Sequence, residues 1–225
     1  GFLFFFIRPE TIKSYPKKSR TKINSWFQSR VYLFPILTFA GKQSYIVFHE
    51  KNIIIGATSG IGRGLAEVYS QEDYLIGITG RRENLLEEVC AQDKDKPFYQ
   101  VCDITDTQAT ISSLETLTQK MGGMDILIIC AGTGELNPEL SYQLEEPTLL
   151  TNVIGFTNIA DWGFRYFEQQ KSGHLVTISS VGGTRGSGIA PAYNASKAYQ
   201  INYMEGLRQK ATKSPYSIYT TDIRP

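Results

Sequence analysis

From Lys51 onward, short runs of β-branched and other apolar residues alternate with stretches whose apolar positions recur at helical spacing, and glycine-bearing turns mark the joints. The pattern predicts strands at Asn52–Ile55, Tyr74–Thr79, Phe98–Cys102, Asp125–Cys130, His174–Ser179 and Ser217–Ile223. Between them it predicts helices at Ile61–Ser70, Asn84–Ala91 and Thr107–Lys120, then two long helices from about Pro147 to Gln170 and from about Ala192 to Ala211. Such alternation implies an α/β fold, a doubly wound parallel sheet in three layers. Six strands are expected, each buried on both faces because its apolar character is continuous. No internal repeat or low-complexity tract interrupts the pattern.

Residues 1–50 do not follow it. They carry aromatic and basic residues with no sustained period of 2 or 3.6, and eight Lys/Arg stand against only Glu10 and Glu50, a balance of +6. Residues 51–225 balance at −5, so the net charge of +1 averages over two unlike segments. The expected organisation is an N-terminal extension, residues 1–50, and a nucleotide-binding domain, residues 51–225. For the extension three readings compete: a segment packed on the domain, an interaction or membrane-surface arm, and upstream sequence foreign to the folded protein. The third is the expectation. The overall charge gives no reason to expect a nucleic-acid partner. The longest apolar stretches, residues 1–7 and 31–41, fall short of the roughly 20 residues a bilayer span requires, and no membrane partner is expected. Cys90, Cys102 and Cys130 are too few and too scattered for a disulfide framework or a zinc site, which points to a reducing cytoplasm and no metal.

Three constellations carry chemistry. Gly56-Ala57-Thr58-Ser59-Gly60-Ile61-Gly62 lies between the first predicted strand and helix. Glycine suits a turn of unusual backbone angles that a phosphate must approach closely, with a helix N-terminus behind it to receive the charge. At the end of the second strand, Thr79-Gly80-Arg81-Arg82 offers two guanidinium groups and no carboxylate before Glu83. An NAD site presents an acid there for the ribose hydroxyls, whereas the 2′-phosphate of NADP needs positive charge. NADP is therefore expected over NAD. Two arginines in a first helical turn would also oppose the helix dipole, a poor choice for stability alone. Third, Tyr193 and Lys197 stand four apart on one helix face, with Ser180 upstream at a strand end and Asn152 early in the preceding long helix. A phenol near its usual pKa of about 10 is a poor base at neutral pH, and an adjacent ammonium would lower it enough to exchange a proton with a substrate oxygen.

Together with Ala131-Gly132 after the fourth strand, these motifs resemble the short-chain dehydrogenase/reductase family in its single-domain form, over about residues 51–225. The resemblance implies an Asn152-Ser180-Tyr193-Lys197 tetrad, in which Tyr193 is the general acid/base. Lys197 lowers its pKa and holds the nicotinamide ribose, Ser180 hydrogen-bonds the substrate oxygen, and Asn152 holds a water in the proton relay. It assigns cofactor contacts to Gly56, Thr58, Ser59, Gly60, Ile61, Gly62, Arg81, Arg82, Asp103, Ile104, Ala131, Gly132, Tyr193, Lys197 and Pro225. Asp103 would contact the adenine; a helix cap before Thr105 is its other reading. The implied activity is hydride transfer between NADP and an alcohol, ketone or aldehyde, by a homodimer or homotetramer. A sugar-nucleotide epimerase and a non-catalytic NADP sensor or scaffold are the alternatives. Cys130 stands where the family has Asn, and Ile55 where it has Thr. The family also continues past its sixth strand with Pro-Gly, a covering loop and helix, and a seventh strand. The C-terminal part of the fold is thus expected to be absent, and the 225-residue chain to turn over weakly or not at all. His49 and His174 are expected to be structural, Cys90 and Cys102 small core hydrophobes, and Phe156, Trp162, Phe164, Tyr166 and Phe167 helix-packing residues. Residues 182–189 are expected to form a flexible loop.

Overall fold

A computed structural model of the chain describes residues 31–39, 42–72, 74–91 and 97–225, with side chains from residue 50 onward. The chain divides into two units, residues 1–47 and 48–225. In the first, strand β1 (Val31–Phe39) pairs with β2 (Lys42–Ile55), which runs on into the second. The predicted first strand therefore begins ten residues early, in a stretch whose polar residues Lys42, Gln43, Ser44, Glu50 and Lys51 hide it from a hydrophobicity pattern. His49 lies within β2, outside the residues whose side chains are described, and the readings of residues 1–30 lie outside the described residues altogether.

The second unit continues with α1 (Gly60–Tyr69), β3 (Tyr74–Gly80), α2 (Glu83–Ala91), β4 (Phe98–Val101), α3 (Thr107–Met121) and β5 (Ile126–Ile129). There follow α4 (Tyr142–Leu149), a π-helical turn (Leu150–Gly155), α5 (Phe156–Gln170), β6 (Ser172–Ile178), α6 (Pro191–Lys213) and β7 (Ser217–Ile223). Six strands pair in parallel in the order β4-β3-β2-β5-β6-β7. In the register, Ile54 stands beside Ile78 on one side and Ile128 on the other.

The run Ile53-Ile54-Ile55 is unbroken because both faces of β2 are covered. Ile53 and Ile55 join α3, α5 and α6 through Leu117, Phe156 and Met204, while Ile54 joins α1 and α2 through Ala66, Leu86 and Val89. Each such buried isoleucine contributes roughly 1.5–3 kcal/mol. Burial on both faces holds for the central strands and fails at the sheet's edges, where Val101 of β4 is 40 % exposed and Tyr219 of β7 48 %. Among the described residues, each of these strands has a neighbour in the sheet on one side only.

The long helix predicted from Pro147 differs most. It starts at Tyr142, with Pro147 inside α4, and passes through the π turn before α5. Gly155 closes that turn against the loop after β4: a Cβ there would stand 2.6 Å from the Ile104 carbonyl oxygen. Among the described residues no helix is long and apolar enough to cross a membrane. The expected helix-packing aromatics hold their place, since Phe156, Phe164 and Phe167 are almost fully buried and Trp162 is 7 % exposed. Cys102 is buried as expected, whereas Cys90 is half-buried and its thiol donates to the Pro97 carbonyl at 3.2 Å. His174 packs its ring edge-on to Tyr219 and shares a 2.8 Å hydrogen bond with Thr221.

Candidate active site

At the carboxyl ends of the central strands a cleft of about 290 Å³ opens. The chain turns into it at Gly56, whose φ of +87° is open to glycine, and whose N–H, like that of Ala57, donates to the Thr79 carbonyl. Gly62 lets α1 close on this turn: a Cβ there would lie 2.3 Å from the Gly56 carbonyl oxygen. Ser59 is the extended N-cap of α1, and its side chain makes no capping bond, so the first-turn N–H groups have no side-chain acceptor from it. Its hydroxyl instead accepts from Arg82 Nη2 at 2.9 Å, as does that of Thr58 at 2.8 Å. Gly80 makes room for this cluster, since a Cβ there would lie 2.4 Å from Thr58 Cγ2.

Arg81 and Arg82 precede α2 rather than occupying its first turn. Glu83 is the first helical residue, and the Arg82 carbonyl accepts from Leu85 and Leu86. The two cations thus stand at the N-terminal flank of α2, where they still oppose its dipole. Asp103 accepts from the Thr105 N–H and hydroxyl at 3.0 and 2.8 Å. Burial pulls its carboxyl upward, but those bonds and nearby Arg81 outweigh it and hold it below the usual aspartate range. It caps no helix; Asp106 caps α3, accepting from the Ala109 N–H.

The cleft gathers Gly56, Thr58, Ser59, Gly60, Ile61 and Gly62 with Arg81, Arg82, Asp103, Ile104, Ala131 and Gly132. Pro225 is exposed and lies beside the Ser180 turn, its carbonyl accepting from the Val181 N–H at 3.1 Å. Cys130 also lines the cleft, and burial pushes its thiol up to about 12 despite the nearby Lys197 charge, so it is a neutral side chain there.

Asn152 Oδ1 and Lys197 Nζ each lie 3.3 Å from where a Cβ on Gly132 of the cleft would stand, and Ser180 and Tyr193 border Gly182 nearby. Asn152, in the π turn and fully buried, accepts from the Thr133 N–H at 2.9 Å and donates to the Thr133 carbonyl at 2.6 Å and to Ser196 Oγ at 3.0 Å. Ser196 Oγ donates in turn to the Tyr193 carbonyl. The Asn152 side chain is thus a clamp on the loop after β5. Ser180 precedes a 3₁₀ turn (Val181–Thr184), and its hydroxyl accepts from the Gly182 N–H at 3.1 Å. A Cβ on Gly182 would stand 3.4 Å from both Ser180 Oγ and Tyr193 Cε1, so hydroxyl and phenol ring border the same point. Lys197, 4 % exposed, donates to the Ile178 carbonyl at 3.1 Å and to Gln200 Oε1 at 3.0 Å, and its ammonium lies 5.9 Å from the Tyr193 ring centroid. Burial lowers its pKa to about 8, with Cys130 and Asp222 pulling the other way.

Several supporting residues escape the sequence motifs. Gly134 carries the Tyr193 ring, since a Cβ would lie 2.3 Å from Tyr193 Cδ2. Asn194 Nδ2 donates to the Gly182 and Arg185 carbonyls and ties the loop after Ser180 to α6, where the sequence suggested only a flexible loop. Asn194 and Ser196 occupy the spacer positions of the Tyr-x-x-x-Lys motif, whose spacing alone gives them no signal.

The same segment is where known proteins match. The family model for short chain dehydrogenase fits residues 51–225. An uncharacterized oxidoreductase of Myxococcus xanthus is 32 % identical over 162 residues, covering 69 % of this chain and 64 % of that protein, under two thirds of its length. One from Mycobacterium tuberculosis is 31 % identical over 180 residues, covering 76 % of this chain and 71 % of that one. The crystal structure of LigD in its apo form, from Sphingobium sp. strain SYK-6, superposes with a TM-score of 0.73 at 29 % identity, covering 78 % of this chain and 77 % of that one. With a glycine turn, a parallel six-strand sheet and a Ser-Tyr-Lys grouping at the sheet's carboxyl edge, the chain belongs to the short-chain dehydrogenase/reductase family of oxidoreductases.

Proposed function

We propose that the protein is an NADP-dependent oxidoreductase that moves a hydride between the nicotinamide and an alcohol, ketone or aldehyde, with Tyr193 as general acid/base. The observation that carries the reading is the placement of Ser180 and Tyr193 around Gly182, with the Lys197 ammonium beside Gly132 of the cleft that also holds Arg82 against Thr58 and Ser59. The residues present fit the cofactor. The α1 N-terminus offers N–H groups for a pyrophosphate, Gly56 and Gly62 let the turn and α1 close on the backbone behind it, and Arg82 retains guanidinium donors for a 2′-phosphate beyond the Nη2 bonds. NADP supplies the hydride chemistry when bound. Tyr193 passes the proton to or from the substrate oxygen, and Ser180 donates a hydrogen bond to that oxygen. The Lys197 ammonium attracts the negative charge that develops on the phenol. Asp103 and Ile104 face the adenine, while Ala131, Gly132 and Pro225 border the nicotinamide half. The assembly we infer is a homodimer or homotetramer through α5 and α6, in the cytoplasm.

The test is NADPH consumption over a panel of ketones, aldehydes and keto-acyl compounds. Tyr193→Phe should lower turnover by at least about a hundredfold while leaving NADPH binding intact. Unchanged turnover in that variant refutes the mechanism, and tighter binding of NADH than NADPH refutes the cofactor.

A further inference from the structure

A glutamine one turn beyond Lys197 is almost completely buried, and both ends of its amide are engaged. Gln200 is 1 % exposed; its Oε1 accepts from Lys197 Nζ at 3.0 Å, and its Nε2 donates to the main-chain carbonyl of Asn152 at 2.9 Å. We propose that Gln200 is a positioning residue of the reaction, whose amide bridges the Lys197 ammonium to the Asn152 carbonyl and fixes where the ammonium sits. The proposal rests on the reading of Tyr193 and Lys197 as partners in proton transfer.

The geometry argues for positioning rather than filling. A lysine side chain carries about 2 kcal/mol of rotamer entropy, and a buried ammonium needs acceptors to remain charged. Two of its three donors are committed, one to Ile178 at the end of β6 and one to Gln200. The ammonium lies 3.3 Å from the position of a Cβ on Gly132, which lines the cleft, so the remaining donor serves the cofactor and substrate side. The other titratable groups around it do not take over this role. Tyr193 lies one turn back on α6 and Cys130 at the end of β5 is a neutral thiol. The Asp222 carboxylate on β7 is bound to Arg224 through Oδ2 at 2.6 Å, and its buried Oδ1 has no hydrogen-bond partner, so it acts on the ammonium through charge alone. The bridge also spans two elements, because the Asn152 carbonyl belongs to the π turn and Gln200 to α6. A shift of either element therefore moves the ammonium.

The experiment is a pH titration of the full protein labelled with ¹³Cε-lysine, the Lys197 signal being assigned by its loss in Lys197→Met. Gln200→Met keeps the volume and removes the acceptor, and the Lys197 midpoint should fall by at least about one pH unit. Gln200→Glu places a carboxylate at hydrogen-bond distance and should raise it. The high-pH limit of NADPH-dependent reduction should move in the same direction in each variant. Midpoints unchanged within about 0.2 units in folded variants overturn the proposal, as does a Gln200→Met that only lowers the thermal midpoint of unfolding. Should Gln200→Met fail to fold, an unmoved midpoint in Gln200→Glu overturns it alone. The lysine titration needs no turnover, so it judges the bridge whether or not the wild-type protein reduces a substrate, and the oxidoreductase reading is judged separately by NADPH consumption.

Discussion

At the end of the cleft proposed for phosphate, shape is set by side-chain atoms that are absent: a Cβ on Gly62 would stand 2.3 Å from the Gly56 carbonyl oxygen, and one on Gly56 2.8 Å from the Ala131 backbone. Around the residues proposed for catalysis it is set by side chains that hold one another, Asn152 to Thr133 and Ser196, Lys197 to Gln200, Asn194 to the loop after Ser180. The first kind of site is defined by main-chain path and is damaged by addition. The second is defined by polar partners drawn from distant elements and is damaged by removal. A buried polar network that is fully satisfied rigidifies its members, and loss of one partner leaves another unsatisfied.

The strongest way to break this contrast is Gly62→Ala. One added methyl meets a backbone oxygen at 2.3 Å, which α1 can escape only by moving off β2. We expect destabilisation near the top of the roughly 1–3 kcal/mol range for overpacking, and no saturable NADPH binding. Thermal unfolding and a fluorescence titration check it. A Gly62→Ala protein that binds NADPH normally would show that the turn is not shaped by close approach.

The contrast also explains what was legible in the residues. The phosphate end could be read because its determinants are contiguous: seven residues from Gly56 to Gly62, preceded by an isoleucine run whose two-sided burial announces a central strand. Tyr193, Lys197, Ser180 and Asn152 were legible through spacing. Their supports were not, because the partners lie far apart in sequence: Gln200 meets a carbonyl 48 residues away, and Asn152 meets a serine 44 away. Pro147 suggests a helix start, being suited to a first turn, yet α4 carries it inside. Nothing in the composition of Leu150–Gly155 marks a π turn, whose backbone answers to packing against Ile104.

Arg82→Ala tests whether the phosphate end also reads charge. Its guanidinium has two roles available, holding Thr58 and Ser59 and meeting a 2′-phosphate. Hydrogen bonds to charged groups are worth about 1.5–3 kcal/mol, so NADPH affinity should fall by roughly 10- to 100-fold. NADH, lacking the phosphate, should lose far less. Equal losses for both would mean that Arg82 acts through the shape of the turn alone, and discrimination between the cofactors would then have to come from elsewhere.

The smallest effect, and the sharpest separation of the two ends, is expected from Asn194→Ala. Its amide makes two hydrogen bonds from α6 to the carbonyls of Gly182 and Arg185, at a half-buried position where water can replace part of what is lost. About 1 kcal/mol is at stake, or about fivefold in kcat/KM for a carbonyl substrate. The loss should fall on the carbonyl's kcat/KM while NADPH affinity stays constant, because the loop carrying Ser180 loosens against Tyr193 without disturbing Gly56–Gly62. A parallel fall in NADPH affinity would show that the loop after Ser180 also shapes the dinucleotide cleft, and the two ends would have to be treated as one coupled site.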